Sequence, residues 1–223
     1  MVSEAPVMGV DWYKAGWVAV VLGGEPRVIV GADLGALIAR VEGVACVGVD
    51  MPIGLPETRR DADRAARDFV GVRRNSVFMT PPRAVLGAAT YPEANERAVA
   101  LLDGKKISQQ AWALRRNIAA VEAVAQHDER VIEVHPEVSF CAMRDGEHLA
   151  FAKTTWNGQA LRRAALGTRG IVMPDRLDEA GGVPPTDVLD AAAAAWTARR
   201  HARNESQSLP DGWARGTPGA IWY

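Results

Sequence analysis

Apolar runs that end in aspartate are the strongest pattern along the chain. Val44–Val49 consists of apolar residues and glycine and leads directly into Asp50, and Pro52, Gly54 and Pro56 follow within six residues. Proline and glycine prevent further ladder pairing, so this stretch predicts a buried strand with a carboxylate at its carboxyl end. That end of a strand is where α/β sheets carry their binding sites.

A second run of the same form lies near the amino terminus. Val7–Asp11 is again a short apolar run closed by aspartate, and two β-branched runs follow it, at Trp17–Leu22 and Arg27–Gly31. The connections between them are short enough for hairpins, which predicts an antiparallel meander of three strands.

The spacing after the meander predicts a helix and a crossover. Asp33 is expected to cap a helix that runs to about Glu42, where the following glycine ends it. A strand reached through a helix runs parallel to the first strand. Asp11 and Asp50 are therefore expected at the ends of neighbouring strands, on one edge of the sheet.

Residues from about 57 to 128 favour a helical insertion. Pro92–Leu102 predicts a short helix, and Ser108 is expected to cap a longer one that extends to Ala125. The stretch Arg59–Arg83 departs from the charge balance of the chain, with seven arginines against three aspartates and no lysine.

The remainder predicts a strand and two helices. Val131–Glu137 has strand character and is expected to end at Pro136, and Gln159–Leu166 predicts a short helix. Thr186 is the expected cap of a last helix over residues 187–202, and the aromatic tail Arg203–Tyr223 is expected to be irregular but to pack back.

Composition and charge narrow the class of protein. The 223 residues are 48% hydrophobic and 24% charged, which is typical of one soluble globular domain over residues 1–223. The net charge of −1 does not favour a protein that wraps long DNA.

The chain lacks an apolar run of about 20 residues and a signal pattern at its start, so we expect no membrane association and a cytoplasmic location. Cys46 and Cys141 are interpreted as buried hydrophobic residues rather than as a disulfide or zinc site.

Several short motifs together resemble one family. They are Gly-Val-Asp with Gly-Trp-Val within Gly9–Val18, Asp-Met-Pro-Ile-Gly-Leu-Pro at Asp50–Pro56, the stretch Arg73–Phe78, His-Pro-Glu at His135–Glu137, Lys153-Thr-Thr with Gly158, and Asp187-Val-Leu-Asp-Ala. As a set they resemble the family called domain of unknown function 429, whose members are described as predicted ribonuclease H-like nucleases. The resemblance implies an α/β fold with a ribonuclease H-like mixed sheet, flanked by helices.

Enzymes of that fold hold two divalent ions between carboxylates on the first strand, the fourth strand and the last helix. Asp11, Asp50 and the pair Asp187/Asp190 stand at the matching places, so the resemblance implies a Mg²⁺ or Mn²⁺ site. The two helix acids lie three residues apart and share a face, and we favour Asp190 while leaving Asp187 open. Each acid also has a structural alternative, as a turn residue or as a partner of the helix dipole.

Two more residues could assist catalysis. Glu137 is a candidate further ligand or general base, and His135 is a candidate for proton transfer. The alternative for His135 is that it closes a strand with a hydrogen-bonded imidazole.

Guanidinium groups suit phosphate, which makes the basic residues candidates for substrate binding. The candidates in predicted loops are Arg73, Arg74, Arg83 and Lys153. Arg60, Arg64 and Arg67 have helical spacing and are equally well explained as a solvated helix face.

The resulting hypothesis is a metal-dependent phosphodiester hydrolase that acts on short or structured nucleic acid or on another phosphate-containing substrate. One alternative is a non-catalytic nucleic-acid-binding or anion-binding regulatory protein. A more remote one is an actin-like or sugar-kinase-like phosphotransferase, although the turn after Asp11 lacks the early glycine and threonine of such enzymes. The sequence predicts no particular oligomeric state.

Overall fold

A mixed sheet of five strands lies at the centre of a computed structural model, which describes residues 4–215 and 217–223. The strands are β1 Val7–Tyr13, β2 Gly16–Leu22, β3 Arg27–Gly31, β4 Cys46–Val49 and β5 Val131–Glu133. They lie in the order β3-β2-β1-β4-β5, where β1, β2 and β3 pair antiparallel and β1, β4 and β5 pair parallel. The predicted meander and the parallel placement of β4 beside β1 are therefore confirmed.

Helices cover both faces of this sheet. They are α1 Leu34–Ala39, α2 Asp61–Phe69, α3 Arg83–Leu86, α4 Tyr91–Leu101, α5 Gln109–Ala113, α6 Arg115–Ala125, α7 Pro136–Met143, α8 Trp156–Thr168 and α9 Pro185–Ala202. A 3-10 helix spans Gly71–Ser76, and two short strands, β6 Ser208–Leu209 and β7 Ile221–Trp222, pair antiparallel near the carboxyl terminus. The elements α2 to α6 lie between β4 and β5 in the chain.

Side chains of β1 alternate between two hydrophobic cores. Met8 and Val10 pack with Leu37 of α1 and Ile118 of α6, whereas Val7 belongs to the core formed with α7, α8 and α9. This alternation is the period of a strand that is buried on both faces.

Two glycines let α9 lie directly on the sheet. A Cβ atom at Gly9 would stand 1.9 Å from the backbone nitrogen of Ala195, and one at Gly48 would stand 2.7 Å from the carbonyl oxygen of Ala194. Any side chain at these positions would push the helix away from β1 and β4. The height of α9 above the sheet is thus set by these glycines and by the alanines that face them.

Some helix boundaries differ from prediction. The helix α1 ends at Ala39 rather than at Glu42. Thr186 lies inside α9 and does not cap it. The helix begins at Pro185, with Pro184 as its N-cap residue, and a proline at the first helical position has no N–H that needs a hydrogen-bond partner.

The single helix predicted after Ser108 is two helices that meet at Leu114. Trp112 of α5 packs with α3 and α4, whereas Ile118 of α6 packs under the sheet. Because the two apolar faces serve different cores, the chain changes direction between them.

The strand predicted over Val131–Glu137 is shorter in the structure. It ends at Glu133, and Pro136 starts α7 instead of only closing the strand. Proline suits the first turn of a helix, because the backbone N–H that it lacks would have no hydrogen-bond acceptor within the helix there. Glu137 therefore lies in the first turn of a helix and not at the end of a parallel strand, contrary to prediction.

The carboxyl-terminal segment packs back on the sheet, as predicted, but it is not irregular throughout, because β6 and β7 form a short antiparallel pair. Trp222 of β7 is buried and forms a parallel bridge with Val134, just beyond β5. No helix in residues 4–215 and 217–223 is long and apolar enough to cross a membrane. The signal-pattern prediction rests partly on residues 1–3, which lie outside the described residues.

Candidate metal centre

Three aspartates converge because α9 lies so close to the sheet. Asp11 and Asp50 follow Gly9 and Gly48 by two residues, so their side chains extend toward the face that α9 covers. Asp190 lies in the second turn of α9, one turn before the alanines that contact the glycines. Each of the three carboxylates offers an oxygen within 4.8 Å of the other two. We call Asp11, Asp50 and Asp190 the aspartate cluster.

Two members of the aspartate cluster are buried and Asp50 is partly buried, and the cluster carries little compensating charge. Asp11 is 7% exposed and Asp190 is 1% exposed. The Oδ1 atom of Asp11 accepts a hydrogen bond from the backbone N–H of Trp12 at 2.7 Å, and Asp190 forms an ion pair with Lys153. Among the described residues, Lys153 is the cation that forms an ion pair with a member of the cluster, and the pair is with Asp190.

Burial raises the pKa of all three carboxyls, and the charges of other cluster members raise it further for Asp11 and Asp50. The pKa of Asp50 rises to about 8, through burial first and the charge of Asp190 second. The pKa of Asp11 rises well above its ordinary range, through burial and then the charges of Asp50 and Asp190. Lys153 opposes these shifts without cancelling them. The metal-free cluster therefore retains protons at neutral pH, and a cation would favour their release.

The donor atoms fit a hard divalent cation. Such ions prefer carboxylate oxygens over nitrogen or sulfur ligands. An ion with metal–oxygen distances of about 2.1 Å keeps its ligand oxygens at most about 4.2 Å apart, so small side-chain rotations would bring the three oxygens into range. The aspartate cluster could therefore hold a metal ion.

A family model described as a protein of unknown function (DUF429) matches residues 9–215. The chain belongs to the DUF429 family. The matched region contains all three members of the aspartate cluster. Comparisons with curated proteins and with solved structures returned no match.

In this DUF429 protein, Asp187 lies at the margin of the cluster. It is half-buried in the first turn of α9, and its Oδ1 atom accepts a hydrogen bond from Thr186 Oγ1 at 3.1 Å. Its carboxylate is not part of the group of three, although its charge contributes to the raised pKa of Asp11. Of the two helix acids left open by the sequence, the structure brings Asp190 to the other aspartates.

Glu137 is close to the cluster but is already paired. It forms an ion pair with Arg162, whose side chain is fully buried and also donates to the carbonyl oxygen of Gly158 at 3.1 Å. The charge of Glu137 raises the pKa of Asp50 and Asp190. The pair gives α7 and α8 a fixed position beside the cluster.

His135 is the N-cap residue of α7 and faces a small cavity. Burial lowers the pKa of its imidazole to about 4, so the ring is neutral at pH 7. Its Nδ1 atom is buried and has no hydrogen-bond partner among the described residues. Asp50 and His135 both line a cavity of about 20 Å³, which is large enough for one water molecule.

The basic residues predicted to bind substrate are dispersed. Arg73 and Arg74 lie in the 3-10 helix and Arg83 begins α3, so the predicted loop placement is wrong for these three. Arg73 Nε donates to the carbonyl oxygen of Leu149 at 2.8 Å, and Arg83 pairs with Glu122 at 3.0 Å. Arg74 is exposed and lines a separate large cavity. Of the four candidates, Lys153 is the one that contacts the aspartate cluster.

A second buried charged group supports the loop that follows Asp50. Arg60 lies between Asp63, at 2.7 Å, and Glu133, at 2.5 Å, with each side chain at most 5% exposed. Glu133 Oε2 also accepts a hydrogen bond from the backbone N–H of Ile53 at 2.7 Å. We call Arg60, Asp63 and Glu133 the arginine network. The interpretation of Arg60 as part of a solvated helix face is therefore wrong.

Sequence reasoning missed this network, although one signal for it was present. Glu133 interrupts an apolar strand, and an acid at such a position must find a partner. The identity of the partner was not visible, because Arg60 lies 73 residues earlier, across the whole insertion.

Proposed function

We propose that the protein is a metal-dependent phosphodiester hydrolase that uses Mg²⁺ or Mn²⁺ at the aspartate cluster. The observation that carries the proposal is the approach of Asp11, Asp50 and Asp190 to within 4.8 Å of one another. Burial raises the pKa of all three carboxyls, and carboxyls perturbed in this way are typical of sites where a cation or a proton transfer uses them.

The proposal includes a ribonuclease H-like fold. Three antiparallel strands, then two parallel strands, then a last helix that carries an acid is the element order expected for that fold. The three acids stand on the first strand, directly after the fourth strand and on the last long helix, which supports the analogy. Fold alone does not specify activity, so the site carries the argument.

Within this proposal, Asp11, Asp50 and Asp190 would hold the metal. When bound, a divalent ion would lower the pKa of a water molecule and neutralise charge on the phosphate. The side chain of Lys153 is 43% exposed, so its ammonium can donate to a phosphate oxygen while it stays beside Asp190.

His135 is suited to handle a proton. A neutral imidazole with an unpartnered Nδ1 atom can accept a proton from a water molecule in the cavity that it shares with Asp50. In this proposal Glu137, which is paired with Arg162, is a fixed negative charge. It favours the protonated imidazolium form of His135.

The ion pair between Lys153 and Asp190 favours a second candidate function. An ammonium can serve as the counter-ion of one carboxylate, and a cluster whose other carboxyls retain protons then needs no metal. The second candidate is a non-catalytic protein that binds nucleic acid or another anion through its basic residues.

Calorimetric titration with Mn²⁺ and Mg²⁺ separates these candidates without a known substrate. We expect saturable binding to the wild-type protein and its loss in folded Asp11→Asn, Asp50→Asn and Asp190→Asn variants. Asp187→Asn is the matched control, because it removes a carboxylate from the same helix but not from the cluster, and it is expected to bind metal.

Incubation of the metal-loaded protein with short single-stranded and structured oligonucleotides tests hydrolysis. We expect cleavage that chelation and Asp50→Asn both abolish. Absence of metal binding to the wild type, even with an oligonucleotide present to supply phosphate oxygens, would favour the non-catalytic candidate.

A further inference from the structure

A large basic cavity lies apart from the aspartate cluster. Its volume is about 650 Å³, and it opens between α2 with the 3-10 helix on one side and the α4–α5 connection on the other. Seven cationic residues are part of its lining: Arg59, Arg60, Arg64, Arg67, Arg74, Lys105 and Lys106. The acids of the same lining are Asp61 and Asp68.

Three of these cations already have carboxylate partners. Arg60 belongs to the arginine network, Arg59 pairs with Asp103 at 2.9 Å, and Arg64 pairs with Asp61 at 3.0 Å.

The other four, which we call the free cations, form no ion pair with any described residue. They are Arg67, Arg74, Lys105 and Lys106. Within the described lining, Asp68 is the acid that is not engaged by an arginine. The cavity therefore keeps an excess of positive charge that the protein does not neutralise.

This arrangement is not a single solvated helix face. Arg67 and Arg74 come from α2 and the 3-10 helix, whereas Lys105 and Lys106 come from a connection more than thirty residues later. Like charges from separate segments repel one another in one concavity, and such a concavity attracts anions.

The lining also offers an apolar surface. Phe78 and Met79 are 36% and 37% exposed and line the same cavity as the free cations. An exposed aromatic ring beside basic groups is the combination that binds unpaired strands, because bases stack on the ring while cations contact the backbone.

The basic cavity adjoins the small cavity of the candidate metal centre. Arg60, Val77, Phe78 and Thr80 line both cavities, and the smaller one continues to Asp50 and His135. A chain-like ligand in the basic cavity would therefore point toward the aspartate cluster.

We propose that the basic cavity binds the phosphate backbone of an unpaired nucleic acid strand through the free cations, with a base against Phe78. Several phosphates are expected to bind because the charge of the four free cations is not compensated by carboxylates of the protein. The choice of a strand over a free oligophosphate rests on the proposed function. It depends on the contact between the basic cavity and the small cavity that Asp50 lines. The volume suits a strand segment and is too small to enclose a duplex.

Fluorescence anisotropy with a short fluorescein-labelled oligo-deoxythymidine tests the proposal, in EDTA so that no metal-dependent cleavage occurs. We expect Arg67→Glu/Arg74→Glu and Lys105→Glu/Lys106→Glu each to weaken binding by at least about tenfold. Each should also reduce the slope of log K against log salt by about 1.4, since a single strand contributes about 0.7 per neutralised phosphate.

Arg27→Glu/Arg163→Glu is the matched control. Both arginines are exposed, lie outside the cavity lining and form no ion pair with a described residue, and the variant changes the net charge by the same amount. It should bind within about twofold of the wild type. Equal weakening in the control and in the cavity variants would overturn the proposal, because binding would then depend on net charge alone.

Three further arms identify the ligand and separate this proposal from hydrolysis. Tighter binding of a labelled duplex through the free cations, or binding of tripolyphosphate without binding of the oligonucleotide, would overturn the assignment to a strand. Oligonucleotide binding that neither free-cation variant weakens would overturn the assignment to the basic cavity. Strand binding in a protein that binds no metal would refute the hydrolase and leave the cavity assignment standing, whereas metal-dependent activity without strand binding would do the reverse.

Discussion

The aspartate cluster and the arginine network are two buried groups of charges that differ in how their charge is balanced. In the network, one guanidinium lies between two carboxylates and donates hydrogen bonds to both. In the cluster, three carboxylates face one another with a single, partly exposed ammonium. The network therefore has the form of a scaffold that is complete by itself. The cluster is incomplete until it gains protons or a cation, and that difference distinguishes a candidate site from a structural ion pair.

Removing the cation of the network should have the largest effect on stability. Arg60→Met leaves Asp63 and Glu133 buried without a cationic partner, and we expect a loss of about 3–5 kcal/mol in the free energy of unfolding. Urea denaturation measures it. Arg60→Met/Glu133→Gln should recover part of the loss, because it removes one of the stranded charges. A loss below about 1 kcal/mol in Arg60→Met would contradict the role of the network.

Removing a charge from the aspartate cluster should raise the free energy of unfolding instead of lowering it. In EDTA at pH 8, we expect Asp50→Asn to raise the free energy of unfolding by about 1–3 kcal/mol, since it relieves repulsion and desolvation of a carboxylate. Asp187→Asn, which leaves the cluster intact, should change it less. A clear destabilisation by Asp50→Asn would indicate that the carboxylate makes a structural contact.

The gain from Asp50→Asn should depend on pH. The folded pKa of Asp50, about 8, lies above the ordinary value of 3.8, so between these values the folded state holds a proton that the unfolded state has released. Stability from this group is present below about pH 4 and is lost as the pH rises toward 8, at no more than about 1.4 kcal/mol per pH unit. The difference between variant and wild type should therefore grow from pH 4 to pH 8. A constant difference would show that Asp50 is ionised throughout.

Lys153→Met should have a smaller effect that reports on the same imbalance. The ammonium is 43% exposed, and its removal is expected to lower the free energy of unfolding by about 1 kcal/mol in EDTA at pH 7. A double-mutant cycle with Asp190→Asn isolates the pair. Saturating Mn²⁺ should reduce the loss, because the metal then supplies the positive charge. An unchanged loss in Mn²⁺ would mean that metal and ammonium do not share the cluster.

Local pattern was enough to predict the sheet and two of the three aspartates. Apolar runs closed by acids predict β1 and β4, and strand adjacency follows from the intervening helix. Asp190 could be proposed only together with Asp187, because both share a face in the first turns of one helix. The choice between them follows from the height of α9, which depends on contacts at Gly9 and Gly48.

Long-range polar contacts were beyond reach from the sequence. The arginines between residues 59 and 83 form one basic segment in the chain, yet the fold divides them among different partners. Arg60 enters the core, Arg83 pairs with Glu122, and Arg74 joins lysines from another segment. Spacing in sequence indicates a shared face only within one helix, and this segment spans two helices and a 3-10 turn.

Removal of the exposed ion pair of α2 is expected to have the smallest effect on the free energy of unfolding. It provides the lower limit for the comparison with the buried arginine network. Arg64 and Asp61 lie 3.0 Å apart, but their side chains are 73% and 70% exposed. Water and salt screen such a pair, so Arg64→Ala should change the free energy of unfolding by less than about 0.5 kcal/mol in urea denaturation. Arg60 and Arg64 are both arginines with an acid three residues away, one buried and one exposed. If both substitutions destabilised the protein equally, burial would not be the property that distinguishes the arginine network.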